Sequence, residues 1–212
     1  MEYGASGKIL KLDQLDFLAG ELIAGKVAAI PTDTVYGIAA VMKNPAAIEK
    51  IYSIKKRPKN KPLIIFVKDP HDVEDFVEEL PPFGIDLMER FWPGALTIIF
   101  SAGEGLPQGV TAGLDTIGVR MPDNKLVLEI LKKVKEPLAV TSANISGKRD
   151  LTSAADVERE LGSELDYILE GDIKKSPGVS TIVDVTGDHP SIFRPGVIKK
   201  KQLEEIVPGI TE

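Results

Sequence analysis

Apolar residues at Leu12, Leu15, Leu18, Ala19, Leu22 and Ile23 recur at helical spacing, with Gly25 placed as a stop. The pattern predicts a helix from Leu12 to Ala24. Short apolar runs follow: Val27 to Ile30, ended by Pro31, then Tyr36 to Met42, and Leu63 to Val67, which reads as a buried strand. Between them, Asn44 supplies an N-cap and Pro45 a first helical residue, opening a helix to about Ile54. Acidic, helix-like segments fill Asp72 to Glu79 and Phe83 to Arg90, split by Pro81 and Pro82. Leu96 to Phe100 and Ile117 to Arg120 read as strands around a glycine-rich loop, Gly103 to Gly113. Asn124 to Val134 is helical, with Leu126, Val127, Ile130, Leu131 and Val134 on one face.

Leu138 to Val140, Tyr167 to Leu169, Thr181 to Val185 and Ser191 to Phe193 are further strands. Ser153 to Asp156 has the form of a capping box for a helix to Leu161, and a short basic-then-acidic helix runs from Lys200 to Val207. Strands and helices mingle with no linker, repeat or break in composition. The expectation is a single α/β domain over residues 1–212.

Composition narrows the function without choosing it. The 212 residues are 43% hydrophobic and 27% charged, ordinary for a globular chain and far from disorder. No apolar stretch is long enough for a membrane span, and Met1 to Gly4 lacks the order of a signal peptide, so a cytoplasmic location is expected. There are no cysteines, which removes disulfides, thiolate metal sites and thiol nucleophiles. The two histidines, His71 and His189, each sit beside a proline and offer no ligand spacing, so a Ser-His-Asp or zinc mechanism is poorly supplied. No GxxxxGK[ST] and no GxGxxG occurs, and the nearest glycine-rich stretch carries Glu104, which repels phosphate.

Against a net charge of −6, Lys55, Lys56, Arg57, Lys59 and Lys61 stand within seven residues, on a loop stiffened by Pro58 and Pro62. Such a loop can offer several fixed cations to one polyanion. Alone, it reads first as a solvated basic loop. Several apolar runs also end in small polar residues or arginine: Thr32-Asp33-Thr34, Arg120, Thr141-Ser142-Ala143-Asn144 and Arg194. Ligands of open α/β sheets bind at strand ends, so these loops could converge. Turn chemistry, a cap or surface ion pairs would explain each one singly. Taken together, they supply cations, hydroxyls and an amide without an obvious general base or metal cluster. That inventory suits phosphoryl or nucleotidyl transfer, where positioning and charge neutralisation dominate.

The ordered blocks PTDTVYG at 31–37, KKRPKNKPL at 55–63, FWPGALT at 91–97, GVRMP at 118–122, TSANISG at 141–147, STIVD at 180–184 and RPG at 194–196 resemble the YrdC/Sua5 family. The resemblance runs from about residue 10 to 200. It implies a twisted, mostly mixed sheet flanked by helices with a concave basic face, and a short form without the additional C-terminal Sua5 domain. It implies threonylcarbamoyl-AMP synthase activity: L-threonine, bicarbonate and ATP give L-threonylcarbamoyladenylate and pyrophosphate. This is the first stage of making N6-threonylcarbamoyladenosine at tRNA position 37.

By position, the resemblance places Arg57 and Lys61 on the ATP phosphates, with Lys55 in support as a third catalytic cation. Thr116, Ser142, Asn144 and Arg194 fall on the nucleotide side, and Thr34, Arg120, Thr141 and Ser180 around threonine. Long-form members carry a histidine where this chain has Phe66, which implies that no polar threonine contact comes from that position. Magnesium would arrive with ATP, with no metal site of the chain's own. A downstream threonylcarbamoyl-transferase complex and tRNA are the implied partners, and no membrane is. The rival readings are a module that binds tRNA or double-stranded RNA without chemistry, and a carbamoyl-transfer domain of the kind found in hydrogenase-maturation enzymes.

Overall fold

A computed structural model describes residues 8–173 and 178–212; Met1 to Gly4 lie outside the described residues. The strands are β1 (Lys8–Leu10), β2 (Ala28–Pro31), β3 (Tyr36–Val41), β4 (Ile64–Phe66), β5 (Leu96–Ser101), β6 (Thr116–Arg120), β7 (Leu138–Ser142), β8 (Tyr167–Leu169), β9 (Thr181–Asp184) and β10 (Ser191–Arg194). The helices are α1 (Leu15–Ile23), α2 (Pro45–Lys55), α3 (Pro82–Phe91), α4 (Gln108–Thr111), α5 (Lys125–Val134), α6 (Ala154–Leu161) and α7 (Lys200–Glu204). All ten strands form one mixed sheet, ordered β1-β8-β2-β3-β7-β4-β6-β5-β9-β10.

Helices pack on both faces of the sheet, fully on one and over part of the other, which is why many of its strands read as continuous apolar runs. On one face, α1 and α5 set Leu18, Leu22, Val127, Ile130 and Leu131 against Ala28, Ile30, Ala39, Val41 and Val140. On the other, Ile48, Ile51, Leu87, Val157 and Leu203 from α2, α3, α6 and α7 meet Ala29, Ile38, Ile65, Ile98, Val119 and Val183. The alternation Ala28/Ala29/Ile30 therefore serves two cores at once.

Local signals set several boundaries. Asn44 accepts from the Ala47 N–H at 3.0 Å and opens α2, Asn124 opens α5, and Ser153 accepts from the Asp156 N–H at 3.1 Å to open α6. Other expectations need correction. The first helix is broken: Leu12–Gln14 is a 3₁₀ turn and α1 starts at Leu15. The acidic stretch 72–79 is not an α-helix; a 3₁₀ helix spans Pro70–Asp75, and Val77 then bridges Ala102. The glycine-rich loop contains α4, and β1 was not anticipated because three residues carry no periodic signal. Among the described residues, no helix is long and apolar enough to cross a membrane.

Candidate active site

The face carrying α1 and α5 is not covered along its whole width. Beyond those helices, a cavity of about 610 Å³ opens over β3, β7, β4, β6, β5, β9 and β10. Its floor alternates out of the strands as Gly37, Val140, Ile64, Gly118, Ile99 and Ile182. A Cβ at Gly37 would fall 2.8 Å from Val140 Cγ1, so nothing larger fits there without movement.

Arg120, at the end of β6, is the most constrained group at the site. It is 3% exposed. Its Nη2 donates to Asp33 Oδ1 at 2.7 Å, Nη1 to Thr34 Oγ1 at 3.3 Å and Nε to the Gly94 carbonyl at 2.9 Å. The guanidinium also lies 5.7 Å from the centroid of the Phe66 ring. Burial pulls its pKa down, and the Asp33 carboxylate opposes that pull. Three of its five N–H groups are committed within the chain, leaving two for a ligand. Asp33, which the sequence left open between turn chemistry and a converging strand-end group, is what holds this arginine. Thr32 shapes the same turn, donating to the Val35 carbonyl at 2.7 Å and lying 3.1 Å from Thr34 Oγ1.

The basic segment divides into separate roles. Lys55 does not belong to the loop: it is the last residue of α2 and 1% exposed. Its Nζ donates to the Ser142 carbonyl at 2.5 Å, and to the Asn144 carbonyl and Oδ1, both at 2.8 Å. Burial, and next the nearby Arg57 charge, lower its pKa to about 7, although three oxygen acceptors favour the ammonium form. Lys56 then takes a left-handed conformation (φ 49°), ending the helix and turning Arg57 toward the cavity. Arg57 donates from Nε to the Lys61 carbonyl at 3.1 Å and from Nη2 to the Pro62 carbonyl at 2.8 Å, fixing the loop. Lys59 is turned away and paired with Glu49, whereas exposed Lys61 lines the cavity.

Thr34, Arg57, Lys61, Thr116, Arg120, Thr141, Ser142, Ser180 and Arg194 all line this one cavity. Lys55 and Asn144 do not. Asn144 Oδ1 accepts from Lys55 and from Ser142 Oγ at 2.6 Å, and its Nδ2 donates to the Lys148 carbonyl at 2.6 Å, so its amide is spent on holding the loop. Arg194 Nη2 donates to the Ser180 carbonyl at 2.8 Å and lies 3.0 Å from Ser180 Oγ, which in turn is 3.0 Å from Thr97 Oγ1. Among the described residues, Arg194 Nε is the only buried side-chain polar atom without a partner. Asp150 and Asp184 add carboxylates to the lining. Sequence reasoning passed over Asp150, Asp184 and Thr97, because single polar residues at strand ends do not reveal which loops will meet.

A second cavity of about 460 Å³ lies at the other end of β3 and β4. Its Lys43–Glu136 and Lys68–Asp72 pairs neutralise one another. Lys135 is a further cation in that lining, but the carboxylates of Asp75 and Glu104 outweigh it, so an excess of positive charge is found only in the first cavity among these two.

The Sua5_yciO_yrdC family model, described as telomere recombination, matches residues 21–196. The threonylcarbamoyl-AMP synthase of Bacillus subtilis (strain 168) is 40% identical over 198 residues, covering 93% of this chain and 57% of the relative. That of Vibrio parahaemolyticus serotype O3:K6 is 32% identical over 175 residues, covering 82% of this chain and 95% of the relative. Pyrococcus abyssi Sua5 complexed with L-threonine superposes with a TM-score of 0.92 at 33% identity, covering 97% of this chain and 62% of that one. The chain thus spans less than two thirds of the Bacillus and Pyrococcus proteins. A family model matched across most of the sequence and a fold that superposes at a TM-score of 0.92 lead to one assignment: this chain belongs to the Sua5/YciO/YrdC family.

Proposed function

We propose that this chain makes L-threonylcarbamoyladenylate and pyrophosphate from L-threonine, bicarbonate and ATP. The observation that carries the reading is one cavity joining a fixed cation set to a hydroxyl-rich pocket, on the fold of a Sua5 whose structure holds L-threonine. The deprotonated threonine amine attacks bicarbonate carbon, and a C–O bond breaks with loss of water to give a carbamate; a carbamate oxygen then attacks the α-phosphorus while pyrophosphate leaves. No covalent nucleophile of the chain is required. The demands are a partly dry pocket and preorganised positive charge at the leaving group.

In this reading Arg57 and Lys61 hold the phosphates, and Thr116, Ser142 and Arg194 line the nucleotide side. Thr34, Thr141 and Ser180 shape the threonine pocket, where the two uncommitted N–H groups of Arg120 meet the carboxylate. Asp33 tempers the charge of that arginine, so directional hydrogen bonding selects the ligand more than net attraction does. Lys55 and Asn144 act one step back, holding the 142–148 loop against α2. Magnesium enters on the nucleotide: Asp150 and Asp184 are isolated carboxylates in the lining, and among the described residues no group of three His, Asp or Glu is placed to hold an ion.

The product is a mixed anhydride suited to transfer onto a tRNA adenosine by a separate transferase complex, in the cytoplasm. Purified chain with Mg-ATP, bicarbonate and L-threonine should release pyrophosphate in step with the adenylate. ATP turnover that ignores threonine, or no turnover, overturns the proposal.

A further inference from the structure

Phe193 is 69% exposed, the most exposed large hydrophobic side chain among the described residues, and it stands at the rim of the cavity. Its position results from a β-bulge. Ile192 pairs with Val183 and Arg194 with Ile182, so Phe193 is an extra residue on β10. Ile192 packs into the core on the far face, while Phe193 and Arg194 both turn to the cavity. Without the bulge, alternation would send Arg194 to the core side. The irregularity therefore sets an aromatic ring beside a cation facing the same space.

The register locates that ring relative to the phosphate-side cations. Arg57 and Lys61 enter from the start of β4, and β6, β5 and β9 separate β4 from β10. Four strand spacings amount to roughly 19 Å of sheet. Once a cationic side chain reaches in from one side and a phenyl ring from the other, the gap suits a nucleoside triphosphate lying across the cavity. An amino acid would leave it largely unfilled. An exposed phenyl ring, with Ile182 and Val179 in the same lining, offers what a flat heterocycle needs.

We propose that Phe193 is the platform on which the nucleobase stacks, with Arg194 beside it on the ribose side. The assignment rests on the nucleotide reading of the cavity. Stacking uses the π-face that every base has, so the platform contributes affinity more than choice of base.

The test is calorimetric titration of the whole chain and of Phe193→Ala and Phe193→Trp with Mg-ATP and with magnesium tripolyphosphate, which lacks a base. Phe193→Ala should raise the Kd for ATP about five- to hundredfold and leave tripolyphosphate binding unchanged. Phe193→Trp should bind ATP within about threefold of the parent. Parent-like ATP binding by Phe193→Ala overturns the inference, as does equal weakening for both ligands. A change in sedimentation with ATP affinity intact overturns it as well, because it makes Phe193 a protein contact. A parent chain that binds neither ligand overturns the nucleotide reading itself, and this inference with it.

Discussion

Over β8, β2 and the latter part of β3, the sheet presents Ala28, Ile30, Ala39 and Leu169, and Leu18, Leu22, Val127 and Ile130 close down on them from α1 and α5. Over β6, β5 and β9 the same face presents Gly118, Thr116, Thr97 and Ile182 beneath open space. The backbone is continuous and the pairing equally regular in both halves. Side-chain size and polarity make the difference. Aliphatic residues on a pleated surface gain from a helical roof, whereas glycine and threonine leave volume and hydrogen-bonding groups that a roof would bury unsatisfied. A Cβ at Gly118 would meet Thr97 Cγ2 at 3.5 Å and Ile64 Cγ1 at 3.7 Å, ordinary contact distances. The backbone thus tolerates a side chain there, and what glycine contributes is room.

The contrast can be broken from either side. The largest effect belongs to the ion pair at the border. Arg120→Ala leaves Asp33 buried and unpaired, which should cost about 3–5 kcal/mol of stability in urea denaturation. Asp33→Ala should cost a similar amount, and the double variant less than the sum of the two. Additive losses would mean the pair is not coupled. In the roofed half, Leu22→Ala should lose about 2–5 kcal/mol of stability while ATP titration of the folded chain stays unchanged. Altered ATP affinity in that variant would show that the halves are not independent.

In the open half, Lys61→Ala should remove about 2–4 kcal/mol of transition-state stabilisation, roughly thirty- to a thousandfold in rate, with little change in Tm. Lys59→Ala, which loses only its surface pairing with Glu49, is the control and should keep most activity. Similar losses in both would reduce the loop to a diffuse basic surface. Smaller still, Gly118→Val should fill part of the floor and weaken ligand binding by about 1–3 kcal/mol without unfolding the chain. Unchanged affinity would move the ligand off β6.

The subtlest test uses pH. Lys55 is held near 7 in the folded chain against an ordinary value of 10.5, because burial disfavours its charge. Between those values the folded chain binds fewer protons than the unfolded one, so stability attributable to this lysine rises with pH across the window. Below about 7 its desolvation penalty is fully present. Lys55→Met should lose that slope in urea midpoints measured from about pH 6.5 to 9.5. Identical slopes would show that Lys55 stays protonated throughout, held by its three oxygen acceptors.

Much of the architecture was legible in the chain because its signals are local. Asn44-Pro45, Asn124 and Ser153 start helices where the sequence reads them, and the apolar runs at 36–42, 63–67, 96–100 and 138–140 all become strands of one sheet. The 3₁₀ start before α1 and the turn around 72–79 were misread, because acidic and apolar residues alternate there without a stop signal strong enough to distinguish 3₁₀ from α. Lys55 was assigned to the loop, one residue beyond the expected helix end, but it is the last residue of α2. A run of cations looks like loop in composition, but the C-terminal end of α2 tolerates a lysine whose ammonium finds carbonyl oxygens.

The sequence by itself determined the element types, the absence of thiol chemistry, the small residues of the floor and the set of polar groups at strand ends. Only the tertiary structure decided which of those groups face a ligand and which are consumed internally. Lys55, Asn144 and Asp33 look like site residues on paper, yet each is committed to another part of the chain. Lys55 and Asn144 are bonded across 89 positions of sequence, and Asp33 and Arg120 across 87. The physical reason is burial. A desolvated charge or amide must find partners, and which partners lie within 3 Å depends on strand order, which no local pattern encodes.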